Sequence, residues 1–329
     1  MPAERWEALD DLRGLAVFVM VPVNVAAVFT LIPSWFKHAP ADGLTIADLV
    51  VPVFLFSLGL SASFSFKRRI GRDGFGRTFL HALIRYAVLF AFGTIGIILV
   101  GSGNGVPWPA KCHGIPWQGW EVLQMLGATG LFSFFFLLLP PWPRLGAAAL
   151  LLATVEALRP LGLGALMRGW YDSGLAGPWG TFSLSFFAIA ASALGEMVKE
   201  AKRETRLAAC GIMAACLAVG AGVALMFFPL SKHLLSASYI LLGGAVSAAL
   251  LALLVVWREY LGWPLPGIGG LGRNPLLLYM LHAVLGLAVH ALRPDNVGAW
   301  EAWSWSLAVL AVCIAAAVVL DRRKIYIKL

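Results

Sequence analysis

Long apolar runs separated by short polar punctuation dominate this chain. Runs able to cross roughly 30 Å of hydrocarbon predict about ten membrane-spanning helices, near residues 10–33, 46–66, 78–100, 118–140, 145–162, 179–198, 207–228, 235–257, 272–292 and 302–320. No repeat of fixed period and no soluble segment interrupts them. The expected architecture is therefore an all-α, polytopic helical bundle forming a single domain over residues 1–329. The first run starts at Leu9 behind a charged N-terminus without a small-residue cleavage site, so a retained helix is expected rather than a signal peptide.

Composition agrees with the pattern. Of 329 residues, 60% are hydrophobic and 13% charged, with a mean hydropathy of +0.83, values that exclude an ordinary soluble domain. The net charge of +8 is spread along loops as an orientation signal, so it calls for no nucleic-acid partner. Arginine and lysine in short loops stay on the cytoplasmic side. With an even number of spans, one face collects Arg5, Arg13, Lys67, Arg68, Arg69, Arg72, Arg77, Arg144, Lys199, Lys202, Arg203, Arg206, Arg258, Arg273, Arg322, Arg323, Lys324 and Lys328. The opposite face holds Lys37, Lys111, Arg159, Arg168, Lys232 and Arg293, while Arg85 falls inside the third run. Both termini are thus expected in the cytoplasm, in a bacterial inner membrane, with the basic rim touching anionic lipid or a phosphorylated donor.

His38 stands alone on a short polar loop between the first two runs, on the face away from the cytoplasm. Imidazole titrates near neutrality and suits a base or nucleophile at a membrane surface. Polar groups at membrane depth cost free energy unless paired or facing a wet cavity. Asn24, about 16 Å along the first helix from Arg13, can hold a carbonyl or ring nitrogen, or bridge two helices. Asp48 can orient His38 or an incoming amine, or act as a helix N-terminal charge. Glu121 and Gln124 open the fourth run. Asn274 follows Arg273 at the start of the ninth, which reaches His282 near mid-membrane, either as a core histidine or as a working one. His81, His113, His233 and His290 fall near ends or in loops. Cys112, Cys210, Cys216 and Cys313 show neither a disulfide framework nor metal-ligand spacing.

Several stretches carry a family resemblance. They are Leu-Asp-Asp-Leu-Arg-Gly-Leu-Ala (9–16), Met-Val-Pro-Val-Asn (20–24), Phe-Lys-His-Ala (36–39), Gly-Leu-Thr-Ile-Ala-Asp-Leu-Val (43–50) and Val-Leu-Gln (122–124). Pro-Leu-Ser-Lys (229–232) with Ser238 and Tyr239, Arg273 and Asn274 with Tyr279 and His282, and Arg-Arg-Lys-Ile-Tyr-Ile-Lys (322–328) follow in order. The chain resembles the heparan-alpha-glucosaminide N-acetyltransferase family of transmembrane acetyltransferases. Where that family often has an arginine after Val-Leu-Gln, this chain has Met125. The luminal domain of animal members has no counterpart in these residues, which leaves the acceptor open.

The resemblance implies transfer of an acetyl group from cytosolic acetyl-CoA to the amino group of a glucosamine-type sugar across the membrane. It places the catalytic histidine on His38 and a functional asparagine on Asn24. The phosphates of coenzyme A should stay at the inner rim, where Arg13, Arg273 and the loop from Lys67 to Arg77 are candidate contacts. Asp48, His282, Gln124 and Asn274 are supporting candidates, and no metal is expected. His38 could deprotonate the amine during attack, or accept the acetyl group itself and pass it on. Association as a homodimer is left open. Two other readings fit the same residues: a secondary transporter or flippase, whose inverted halves are not visible here, and an acyltransferase acting on hydroxyls of an envelope polysaccharide.

Overall fold

The computed structural model describes residues 6–27, 29, 31–39, 42–103, 120–170, 175–199, 201–265, 267–292 and 297–326, with the backbone alone for 99–103. Arg5, Lys111, Cys112, His113, Arg293 and Lys328 lie outside the described residues. The described chain is helical, and Gly43 and Ser231 form an isolated bridge. Its helices are α1 Glu7–Ala26, α2 Val50–Gly103, α3 Val122–Phe134, α4 Pro141–Leu158, α5 Gly164–Arg168, α6 Gly180–Val198, α7 Arg203–Ala224, α8 Ala237–Val255, α9 Ile268–Arg273, α10 Pro275–Leu292 and α11 Ala299–Arg322.

Seven of the described helical segments are long and apolar enough to cross a membrane, against about ten runs expected from the pattern. Three physical facts account for the difference. α1 carries Glu7, Asp10, Asp11 and Arg13 in its first turns, and the apolar segment Val122–Leu138 is short. The runs expected at 46–66 and 78–100 are joined through α2, whose one non-helical residue is Gly74 (φ 75°, ψ 172°). That backbone is open to glycine and strained for other residues. A straight helix would hold Ala62 and Tyr86 about 36 Å apart, yet the two line the same cavity, so α2 folds back on itself at Gly74. The ninth run is also divided: the residue before a proline disfavours helical geometry, and Asn274, at φ −129° and ψ 51°, separates α9 from α10 before Pro275.

α6 is the buried centre, with 83% of its apolar window inside the protein, packed on α2, α3 and α4. Small residues allow the backbones to meet: a Cβ on Gly59 of α2 would lie 2.1 Å from the Ala188 carbonyl oxygen of α6. α1 and α9 approach in the same way, since a Cβ on Gly272 would fall 1.8 Å from the Asp10 carbonyl oxygen. In contrast, α7 and α10 bury only 17% of their apolar windows and expose Ile212, Val219, Val223, Val284 and Leu287. Such faces are stable in hydrocarbon and unfavourable in water.

Ion pairs mark one end of the bundle. Arg258, just past α8, binds Asp11 of α1, Arg206 of α7 binds Glu259 at 3.1 Å, and Arg273 binds Asp321 at the end of α11. Arg144, expected in a cytoplasmic loop, is buried at the start of α4. It donates to the carbonyls of Phe136 and Leu137 and to Glu196 of α6 at 3.0 Å. The other end carries the C-terminus of α1, the start of α2 and the start of α8.

Candidate functional site

At that second end, the loop bearing His38 is fastened by backbone contacts. Gly43 N–H donates to the Leu230 carbonyl at 2.6 Å, and Lys37 Nζ donates to the Phe29 carbonyl at 2.5 Å. His233 Nε2 donates to the Ala39 carbonyl at 3.0 Å. The facing loop 229–236 is held in turn from α4. Arg159 donates to the carbonyls of Leu234 (2.7 Å) and Leu235 (2.8 Å), and the Ala237 N–H donates to Glu156 at 2.7 Å.

Asp48 is the hub of this loop. Thr45 and Asp48 form a capping box at the turn leading into α2. Asp48 Oδ2 accepts from the N–H groups of Ala39 (3.2 Å) and Thr45 (3.0 Å) and from the Thr45 hydroxyl (2.9 Å). Its Oδ1 lies 2.8 Å from His38 Nδ1 and 3.2 Å from Lys232 Nζ. Tyr239 of α8 donates from its hydroxyl to the Asp48 carbonyl at 2.7 Å. The two readings of Asp48, helix cap and partner of His38, are both realised, one on each oxygen. Its side chain is fully buried, while that of His38 is 43% exposed. A fixed carboxylate therefore orients a partly exposed imidazole.

Lys232 had no chemical role in the sequence reading beyond its place in Pro-Leu-Ser-Lys and on the face away from the cytoplasm. The structure buries its side chain to 7% exposure and brings Nζ within 2.9 Å of His38 Nδ1. Burial holds this ammonium below the ordinary lysine value, although Asp48 pulls the other way. The run Ser231, Lys232 and His233 in a short loop between two long apolar helices was the signal for it.

A second set of polar groups links α1, α10, α3 and the second arm of α2. Asn24 Nδ2 lies 3.0 Å from His282 Nε2, so Asn24 meets the histidine of α10. The His282 ring packs edge-on against Tyr279, 5.0 Å between centroids, and the Tyr279 hydroxyl donates to Glu121 at 2.5 Å. Gln124 closes the set, accepting from the Glu121 N–H at 2.9 Å and donating to the Thr94 hydroxyl at 3.0 Å. This Glu121–Gln124 exchange is also a capping box, at the start of α3.

The remaining candidates lie elsewhere. Arg13 donates to Asp10 at 3.2 Å and to Ser61, Arg273 binds Asp321, and Asn274 donates to the Ile325 carbonyl at 3.0 Å. These three sit among the ion pairs at the far end and brace α1, α2 and α11. Among the described residues no three histidine, cysteine or acidic side chains form a metal-type cluster.

Comparison with known proteins places the chain in a family. Residues 6–322 match the family described as an acyltransferase domain. Heparan-alpha-glucosaminide N-acetyltransferase of Mus musculus is 34% identical over 143 residues, covering 41% of this chain and 20% of that protein. The Homo sapiens protein of the same name is 36% identical over 130 residues, covering 38% of this chain and 18% of that protein. The chain thus spans about a fifth of the length of the curated relatives it matches. Matched from Trp6 to Arg322 and carrying a carboxylate-oriented histidine at one end of a membrane bundle, the chain belongs to the acyltransferase family and is an integral membrane acyltransferase related to heparan-alpha-glucosaminide N-acetyltransferase.

Proposed function

We propose that this enzyme transfers an acetyl group from acetyl-CoA to the amino group of a glucosamine-type sugar, with His38 as the base. The observation that carries this reading is the 2.8 Å contact between His38 Nδ1 and the buried Asp48 carboxylate. With Nδ1–H donated to Asp48, the Nε2 lone pair is left to take a proton. The acceptor nitrogen bonds to the thioester carbonyl carbon as Nε2 removes its proton. The C–S bond then breaks, and His38 returns that proton to the departing thiolate. Asn24 uses one amide hydrogen on His282, and its second can meet the oxygen on which negative charge develops.

The topology in this proposal is ten crossings, with α2 counted twice about Gly74 and with α1 and the segment 122–138 included. The basic, ion-paired end then faces the cytoplasm together with both termini of the described bundle, and His38 faces outward. Two cavities between the arms of α2, α3 and α6 share Ala62, Tyr86, Phe134 and Leu137 and reach from the level of Arg69 toward Leu58. Their position supports a donor arm entering from the basic end.

Purified protein in detergent, given acetyl-CoA and glucosamine, should release free coenzyme A. His38→Ala should lower turnover by about 10²- to 10⁴-fold with its circular dichroism unchanged. Undiminished turnover in that variant removes His38 from the reaction. Turnover with a sugar alcohol but with no amine would assign the enzyme to hydroxyl acylation. Acetyl label retained on His38 in the absence of acceptor would make His38 the nucleophile.

A further inference from the structure

A polar cluster remains at the basic end, at the mouth of the cavities that the proposed donor arm would enter and away from His38. Between the two arms of α2 lies a cleft of about 50 Å³ whose polar walls include Arg69, His81 and Arg85. That is several times the space one water requires. Arg69 comes from the first arm, and His81 and Arg85 come from the second. From Val50 to Arg69 the helix rises about 28 Å, close to the thickness of the hydrocarbon core, which puts the cleft at the opposite end from His38.

Its two arginines lack a direct ion pair, although the Asp73 carboxylate acts on Arg69 and His81 from a distance. Several arginines elsewhere in the bundle are matched: Arg144 with Glu196, Arg206 with Glu259, Arg258 with Asp11 and Arg273 with Asp321. Among the described residues neither Arg69 nor Arg85 has a carboxylate at ion-pair distance. The nearest acid in sequence, Asp73, is held by Arg72 through two contacts of 2.7 and 2.8 Å. Arg85 packs its guanidinium on the Tyr86 ring at 5.7 Å, and its buried Nε has no hydrogen-bond partner. The hydroxyls of Ser65 and Thr78 already donate to the carbonyls of Ala62 (3.1 Å) and Gly74 (2.7 Å), so they do not relieve it.

An arginine at membrane depth is costly without a partner, and a buried donor left unpaired calls for a ligand. Two guanidinium groups on opposite walls, with an imidazole beside them, match the oxygens of a phosphate better than a single carboxylate, because planar forks bind phosphate bidentately. We propose that the cleft walled by Arg69, His81 and Arg85 is a phosphate-binding site. The phosphate belongs either to a soluble nucleotide or to a lipid headgroup, and both present the same oxygens. The nucleotide assignment rests on the proposed coenzyme A donor, whereas the phosphate site itself does not rest on His38 acting as a base, and its test reads binding, so failure of the acetyl-transfer assay leaves the site standing.

Adenosine 3′,5′-bisphosphate would be titrated calorimetrically into the detergent-solubilised full chain, with adenosine as the phosphate-free control. The bisphosphate should bind and adenosine should not, and Arg69→Gln and Arg85→Gln should each weaken binding at least tenfold. Arg203→Gln, remote from the cleft, should leave it unchanged. In parallel, native mass spectrometry would follow retention of phosphatidylglycerol. Loss of that lipid in both variants, without nucleotide binding to the wild type, would assign the phosphate to a headgroup. Should Arg85→Gln fail to fold, Arg69→Gln decides. Binding of both probes that is unaltered in Arg69→Gln, or absent in the wild type, overturns the proposal.

Discussion

Lys232 Nζ stands 2.9 Å from His38 Nδ1 and 3.2 Å from Asp48 Oδ1. The ammonium and the carboxylate therefore compete for one ring nitrogen. When Nδ1 carries hydrogen it donates to Asp48, and Nε2 is free to accept a proton. When Lys232 donates to Nδ1, the neutral ring carries its hydrogen on Nε2 and cannot act as a base there. The position of one lysine thus bears on the tautomer that the proposed acyl transfer requires.

The buried lysine has a consequence for stability. Burial lowers the folded-state value of Lys232 below 10.5, against the opposing pull of Asp48. The unfolded chain keeps that proton to higher pH, so between the two values the unfolded state binds more protons and stability rises with pH. Thermal unfolding across the alkaline range up to 10.5 should show wild type gaining on Lys232→Met as pH increases. A difference between the two that stays flat over that range would contradict the assignment.

Asp48→Asn tests the hub. The substitution keeps the shape but removes the charge facing His38 and Lys232, and breaking a buried pair typically costs about 3–5 kcal/mol. Turnover is expected to fall by about 10²- to 10⁴-fold through the wrong tautomer, with a lowered midpoint in chemical denaturation. Retained stability together with retained turnover would show that Asp48 only caps the helix.

Asn24 and His282 touch at 3.0 Å, so their effects should not add. For groups in contact, coupling of about 0.5–3 kcal/mol is typical. Turnover of Asn24→Ala, His282→Ala and the double variant would be measured together. Simple multiplication of the two single losses would mean that the pair does not act as a unit.

Gly272 has a structural role that a methyl group exposes. With a Cβ 1.8 Å from the Asp10 carbonyl oxygen, Gly272→Ala forces α9 away from α1 at an expected cost of at least about 1–3 kcal/mol. Gly286, whose Cβ would meet no atom within 4 Å, is the comparison, and Gly286→Ala should be close to neutral. Equal melting temperatures for the two variants would refute this close packing.

The pattern of apolar runs was enough for the helical class and for the approximate place of most segments, because burying a backbone in hydrocarbon leaves a helix as the way to satisfy its hydrogen bonds. His38 and Asp48 were legible as candidates for a similar reason: polar groups beside long apolar runs are few. Pairing was not legible. Asn24 reads as holding a carbonyl or ring nitrogen or bridging two helices, but that its partner is His282 of α10 is not encoded locally, nor is the pairing of Arg13 with Asp10 and of Arg273 with Asp321. Lys232 and His38 lie 194 positions apart, and no periodicity encodes that meeting. It arises from loop 229–236 being held by α4 against the loop that leads into α2. Local sequence determines which segments enter the membrane, whereas the contacts between segments depend on how the helices pack, and that packing set the surroundings of every candidate side chain.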